Sequence, residues 1–221
     1  LEVTCLNATL GARRRNKLQD CRLCLITTPC DDLFDRVQTA LQNGVGMVQY
    51  RCKAGNDRER LQEAQQLRQL CNSYGALLFI NDRVDLALAV DADGVHLGQE
   101  DMPCEVARDL LGCDRLLGRS THSIDQVHQA QQEPIDYLGF GPIHSTAVKP
   151  ERNPVGVKLL AQATAISQRP VFAIGGISPA NLPALLTAGG QRAAVIGAIM
   201  HADDVGQASR QLLQQLDHAT F

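Results

Sequence analysis

From residue 21 onward, short β-branched or apolar runs alternate with amphipathic segments of 10 to 15 residues, the pattern produced by repeated strand–helix units around a parallel sheet. Strand runs fall at 22–27, 47–51, 77–81, 94–97, 116–120, 137–141, 171–175 and 193–198, and each precedes a stretch of helical spacing. Asp31 and Asp32 are expected to open the first helix and Ser123 the fifth. Ser178 should open the seventh as an N-cap, with Pro179 at the first helical position. Gly44, Gly75, Gly112 and Gly189 stand where other helices should close. Eight repeats without a composition break favour a single (β/α)8 TIM barrel over residues 21–221, rather than an open doubly wound sheet. Residues 1–20, with the run Arg13-Arg14-Arg15, read as a solvated N-terminal arm or cap.

Composition narrows the function classes. A chain of 221 residues that is 44% hydrophobic has enough apolar material for a sizeable core. The formal net charge of -3, without a long Lys/Arg run, gives no electrostatic footprint for duplex nucleic acid or an acidic membrane. No apolar stretch approaches the roughly 18 residues of a spanning helix, and no signal-peptide pattern is visible. The expectation is a soluble, cytoplasmic protein acting on small molecules, with homo-oligomerisation left open. Eight cysteines lie scattered through apolar or helical contexts, which favours free buried thiols over disulfides. Cys21 and Cys24 form a CxxC, but a spacing of three across a strand should send the two side chains to opposite faces. No second ligand pair accompanies them, so zinc is not expected.

In such a barrel, chemistry gathers at the C-terminal ends of the strands. At the second strand Gln49, Arg51 and Lys53 alternate, so all three should share one face. Two cations directed into a barrel mouth call for an anion such as a diphosphate, in preference to a pair of structural salt bridges. Asn81-Asp82 ends the third strand, and the fourth runs through His96 to Asp101. Asp82 and Asp101 should lie close on one rim, where two carboxylates call for a cation; Mg2+ suits a site with few protein ligands and substrate phosphates. The competing role for Asp82 is to cap the helix that follows. Ser120 is assigned to phosphate contact. His122 suits either proton transfer or a structural hydrogen bond. The glycine- and proline-rich loop after the sixth strand carries Thr146 and Lys149, the latter a mobile cation for a leaving group. Gly175-Gly176 and Gly197, after strands seven and eight, suit a phosphate monoester held by backbone amides. Two anion sites on one rim describe a transferase: one holds the departing diphosphate and the other holds the nucleophile in attack geometry.

The motifs Gln49-Tyr50-Arg51-x-Lys53, Asn81-Asp82-Arg83-Val84-Asp85, Ala92-Asp93-Gly94-Val95-His96-Leu97-Gly98-Gln99-Glu100-Asp101 and Gly139-x-Gly141-Pro142 together resemble the thiamine phosphate synthase family, over about residues 22–202. The resemblance implies condensation of 4-amino-2-methyl-5-hydroxymethylpyrimidine diphosphate with thiazole phosphate to give thiamine phosphate and diphosphate. It implies that Gln49 and His96 contact the pyrimidine. Arg51, Lys53, Asn81, Ser120 and Lys149 would contact the diphosphate, with Arg51, Lys53, Ser120 and Lys149 as the catalytic set. Asp82 and Asp101 would hold Mg2+, and Thr146, Gly176 and the backbone around Gly197 would receive the thiazole phosphate. Three positions depart from the family pattern. The usual Thr-x-Thr-Lys reads Thr146-Ala147-Val148-Lys149, Gly197 stands where serine is common, and Cys52 replaces an acidic residue. Serine at 197 is therefore expected to tighten thiazole phosphate binding. Two other readings remain open: a thiazole tautomerase, whose histidine is similar to His122, and a catalytically silent barrel that binds thiamine precursors. Under the tautomerase reading, Lys53, His96, Gln99 and Asp101 would have no task.

Overall fold

The computed structural model describes residues 2–146 and 153–218, with side chains from residue 9 onward. Among these, eight parallel strands close into a barrel in sequence order: β1 (Leu23–Ile26), β2 (Met47–Tyr50), β3 (Leu77–Asn81), β4 (Gly94–Leu97), β5 (Leu116–Thr121), β6 (Tyr137–Phe140), β7 (Val171–Ile174) and β8 (Ala193–Val195). The last pairing, Leu23 with Ala193, closes the ring. Helix α1 (Glu2–Asp20) precedes the barrel. Around it run α2 (Leu33–Gln42), α3 (Asp57–Ser73), α4 (Val84–Ala89), α5 (Cys104–Leu111), α6 (Ile124–Ala130), α7 (Gly156–Ile166), α8 (Leu182–Thr187), α9 (Gly197–Met200) and α10 (Val205–Asp217).

Strand alternation divides the apolar residues into two layers. Outward positions such as Leu25, Val48, Leu78, Val95, Leu117 and Leu138 pack against the helices. Inward positions such as Met47, Leu77, Phe79, Leu116, Tyr137 and Phe172 fill the barrel itself. The rings of Phe79 and Phe172 meet Tyr137 edge-on, with centroids 5.3 and 5.5 Å away. Two glycines make room for these rings. A Cβ on Gly94 would stand 2.6 Å from Phe79 Cε1, and one on Gly118 would stand 2.2 Å from Tyr137 Cζ. The aromatic plug thus fills the lower and middle barrel and confines open space to the upper rim.

The N-terminal segment is a docked helix, and the Arg13-Arg14-Arg15 run is not uniformly solvated. Leu18 of α1 joins the barrel-filling cluster. Arg14 is 5% exposed; its guanidinium bonds Asp93 at 2.9 Å and Asp114 at 3.2 Å. Arg68 bonds the other Asp93 oxygen at 2.6 Å, so each buried charge has a counter-charge. Arg15 reaches Asp136 at 2.9 Å. These bonds hold α1 across the N-terminal end of the barrel, leaving the other end for chemistry.

Several local expectations are revised. Ser123 does cap α6, accepting from the Gln126 amide, and Gly44, Gly75, Gly112 and Gly189 take positive φ at helix ends. Asp32 occupies the N-cap position of α2 but spends its carboxylate on Arg36, 2.7 Å away, one helical turn on. Ser178-Pro179 does not open α8. The chain makes a turn there, Asn181 takes the cap position, and the proline inside the helix start is Pro183. Cys21 precedes β1, so the two thiols of the CxxC enter the same inner cluster instead of facing apart. Burial pushes the Cys21 thiol up to about 11. Among the described side chains every cysteine is free, yet Cys30 and Cys113 are exposed rather than buried. No described helix is long and apolar enough to cross a membrane.

Candidate active site

A cavity of about 450 Å³ opens at the C-terminal ends of the strands. Of the residues singled out in the sequence, Gln49, Arg51, Asn81, His96, Ser120, Thr146, Gly176 and Gly197 line it. A larger depression of about 540 Å³ lies at the opposite end against α1, bordered by Lys17, Cys21, Asn43 and Arg210, and gathers none of them. Barrel position, not volume, selects the site.

On β2 the inward alternation carries Met47 and then Gln49, which is 3% exposed. The strand stops at Tyr50, so the face shared by Gln49 and Arg51 does not extend regularly to Lys53. Arg51 keeps its place because its amide donates to Thr27 Oγ1 at 2.9 Å. Lys53 lies on the rim, its side chain 62% exposed and its Nζ 3.7 Å from Asp82 Oδ2.

Asp82 does not cap α4: the cap position is Arg83, without a side-chain cap bond. It instead takes a left-handed backbone conformation, φ 64°, with its amide bonded to the His96 carbonyl at 2.9 Å. That conformation costs energy for a residue with a Cβ and marks a position held by its surroundings. Desolvation, then a hydrogen bond and charge from Asp101, raise the Asp82 carboxyl to about 6, while Lys53 and Arg51 oppose the shift. Asp101 is fixed from below: its Oδ2 accepts from the Gly98 amide at 2.6 Å. The Gly98 carbonyl in turn accepts from Arg119 at 2.6 Å, and Gln99 donates to the Ser120 carbonyl at 2.6 Å. Two carboxylates set against each other at a rim fit a divalent cation, which would relieve their repulsion. Among the described residues no group of three or more His, Cys, Asp or Glu offers a fuller metal cage. A two-carboxylate site of this kind suits Mg2+, whose shell takes substrate and water oxygens.

His96 stands at the centre of the mouth. One ring nitrogen lies 2.9 Å from the Tyr137 hydroxyl and the other 2.8 Å from Ser120 Oγ. Burial keeps the Tyr137 phenol well above its ordinary range, so it remains a neutral partner. Both the ring and the serine hydroxyl therefore have a defined orientation before any ligand enters. His122 also lines the cavity, with Nδ1 2.6 Å from the Gly141 carbonyl. A carbonyl only accepts, so Nδ1 carries the proton there.

The far wall comes from β7 and β8. Gly175 and Gly176 take φ of 101° and 63°; a Cβ on Gly176 would meet the Ser145 carbonyl at 2.6 Å, so the turn packs directly on the β6 loop. Lys149, Val148 and Ala147 lie outside the described residues. The sequence reading missed Tyr137 and Arg119, which act on the site through His96 and the Gly98–Asp101 loop. It also missed His201, which lines the cavity from beyond β8. Tyr137 was visible only as a strand residue. His201 belongs to none of the motifs.

The profile of the thiamine monophosphate synthase family matches residues 23–199. The chain belongs to that family. It is 90% identical, over its whole length, to the thiamine-phosphate synthase of Synechococcus sp. strain CC9605 and 64% identical to that of Parasynechococcus marenigrum strain WH8102. It spans 63% of the length of each of these curated relatives. Among solved structures, thiamine phosphate pyrophosphorylase from Pyrococcus furiosus superposes with a TM-score of 0.84 at 37% identity, covering 94% of this chain and 99% of that one. The family match therefore takes in all the elements that line the cavity except the last residue, His201.

Proposed function

We propose that the chain is a transferase that joins 4-amino-2-methyl-5-hydroxymethylpyrimidine diphosphate to thiazole phosphate, releasing diphosphate and forming thiamine phosphate. The observation that carries this reading is one rim with two unlike halves. Arg51, Lys53, Asp82 and Asp101 make a charged half, and the Gly175-Gly176 and Gly197 turns make a half of bare backbone. In the reaction the bond between the pyrimidine methylene carbon and the diphosphate oxygen breaks, its electron pair leaving with diphosphate. The thiazole nitrogen lone pair then forms the new carbon–nitrogen bond.

Arg51 and Lys53 would stabilise charge accumulating on the departing diphosphate, an interaction stronger in the transition state than in the ground state. Asn81 and Ser120 would donate to the same oxygens, with Ser120 aligned by His96. Gln49 and His96 would orient the pyrimidine, and Thr146 with the Gly176 and Gly197 backbone would hold the thiazole phosphate within attack distance. Lys149 would add a further cation to this set. Mg2+, bound by Asp82 and Asp101, would supply further neutralisation to the diphosphate oxygens. The site is expected to work in the cytoplasm on freely diffusing small molecules.

The test is incubation of the purified chain with both substrates, with and without Mg2+. Thiamine phosphate should appear only with the metal. Isomerisation of a thiazole carboxylate without metal would support the tautomerase reading through His122, and binding without any product would support the silent barrel.

A further inference from the structure

We propose that His201 is a phosphate-binding residue of the thiazole half of the site, supplying the only basic side chain among the described residues that line the β7–β8 wall. The inference rests on the function proposed above. After β8 the chain turns at Ile196 and enters the short helix α9. The His201 amide bonds the Gly197 carbonyl at 3.1 Å, which places the histidine one turn beyond the glycine. Its ring folds back over that glycine: a Cβ at 197 would stand 3.1 Å from Nδ1 and 3.8 Å from Cε1. The ring thus occupies the space that a side chain at 197 would use, and it faces the cavity also bordered by Gly176 and Ser178.

This wall has a chemical deficit that the histidine fits. The other lining residues of β7 and β8 and their turns, among them Ile174, Gly175, Ala194 and Ala198, offer no charge. Arg51 follows β2 and lies on the side of Asp82. A phosphate monoester carries a charge of about −1.5 to −2 near neutral pH. Backbone amides position such a group, and an imidazole N–H adds a directed side-chain hydrogen bond to its charged oxygens. Of the acidic residues that follow α9, Asp204 uses Oδ1 to accept the Gln207 amide at 2.8 Å, and Asp203 feels the charge of Arg36. Gly197 and His201 therefore act as a unit, the glycine being what admits the ring. A serine introduced at 197 alone would displace the imidazole, so it should exchange one phosphate donor for another and give no tighter binding.

The test is calorimetric titration with thiazole phosphate, with its unphosphorylated alcohol and with inorganic phosphate. It compares the wild type, His201→Ala, Gly197→Ser and the double variant, and assays thiamine phosphate formation alongside. His201→Ala should weaken thiazole phosphate by about tenfold, the scale of a lost charged hydrogen bond, and leave the alcohol unchanged. Adding Gly197→Ser to His201→Ala should restore most of that loss. Because His201 is exposed, neither change threatens the fold. Turnover with an unchanged dissociation constant in His201→Ala would overturn this inference alone. No turnover, together with phosphate affinity that depends on His201, would overturn the proposed reaction and leave the phosphate site standing. A wild type that binds neither phosphate ligand overturns both.

Discussion

Asp101→Ala should lower Mg2+-dependent formation of thiamine phosphate by about 10²- to 10³-fold, corresponding to roughly 3–4 kcal/mol of lost transition-state stabilisation. Asp101 bears directly on the Asp82 carboxyl, and in the proposed reaction the two carboxylates together would hold Mg2+, so removing one would weaken the hold on the cation. The same side chain also ties down its loop through the Gly98 amide, so a loop effect must be separated from a metal effect. Asp101→Asn does this: its amide oxygen still accepts from Gly98, while the charge is gone. Both variants should lose activity and keep a melting temperature within about 3 °C of the wild type, because the site is a rim feature outside the two cores. An active Asp101→Asn with an inactive Asp101→Ala would assign the residue to loop geometry. Full activity in both would remove the metal assignment.

Gly118→Ala should destabilise the barrel by about 3 kcal/mol and lower its melting temperature by about 5–10 °C. The new methyl would sit 2.2 Å from Tyr137 Cζ and 2.6 Å from its hydroxyl, and that ring is wedged between Phe79 and Phe172. No rotamer change absorbs such an overlap within a filled barrel. Because the Tyr137 hydroxyl also orients His96, pyrimidine binding should weaken along with stability. Thermal melts and substrate titrations read the two effects separately. Replacing Tyr137 with leucine in the same background should recover part of the lost stability by vacating the contested space. An unchanged melt for Gly118→Ala would show that the aromatic plug is looser than the packing indicates.

Those two residues also mark how far sequence patterning reaches. The strands at 77–81 and 94–97 are readable to the residue because apolar runs there end abruptly in polar or turn residues, Asn81 and Gly98. The last strand is overextended in the sequence reading, since 196–198 continue the apolar run although the backbone has already turned into α9. Periodicity registers hydrophobicity and is blind to such a turn. The rim residues Gln49, Asn81, His96 and Ser120 were legible because polar side chains at strand ends have no structural reason to face a barrel interior. Arg14 was not legible: its partners Asp93 and Asp114 lie 79 and 100 residues away in sequence, and only the closed barrel brings them together. His201 was hidden for a related reason. Its role depends on the bare Cα of Gly197 one turn earlier, a relation that appears only when α9 is seen to fold back on the cavity.

In the proposed reaction one cavity handles both halves, the departing diphosphate and the captured thiazole. A rapid-quench single turnover with pyrimidine diphosphate labelled in its phosphates and with labelled thiazole phosphate tests this most directly. Diphosphate release and thiamine phosphate formation should rise together, with one product molecule formed for each diphosphate released. Diphosphate released without thiamine phosphate, or in clear excess over it, would contradict the account.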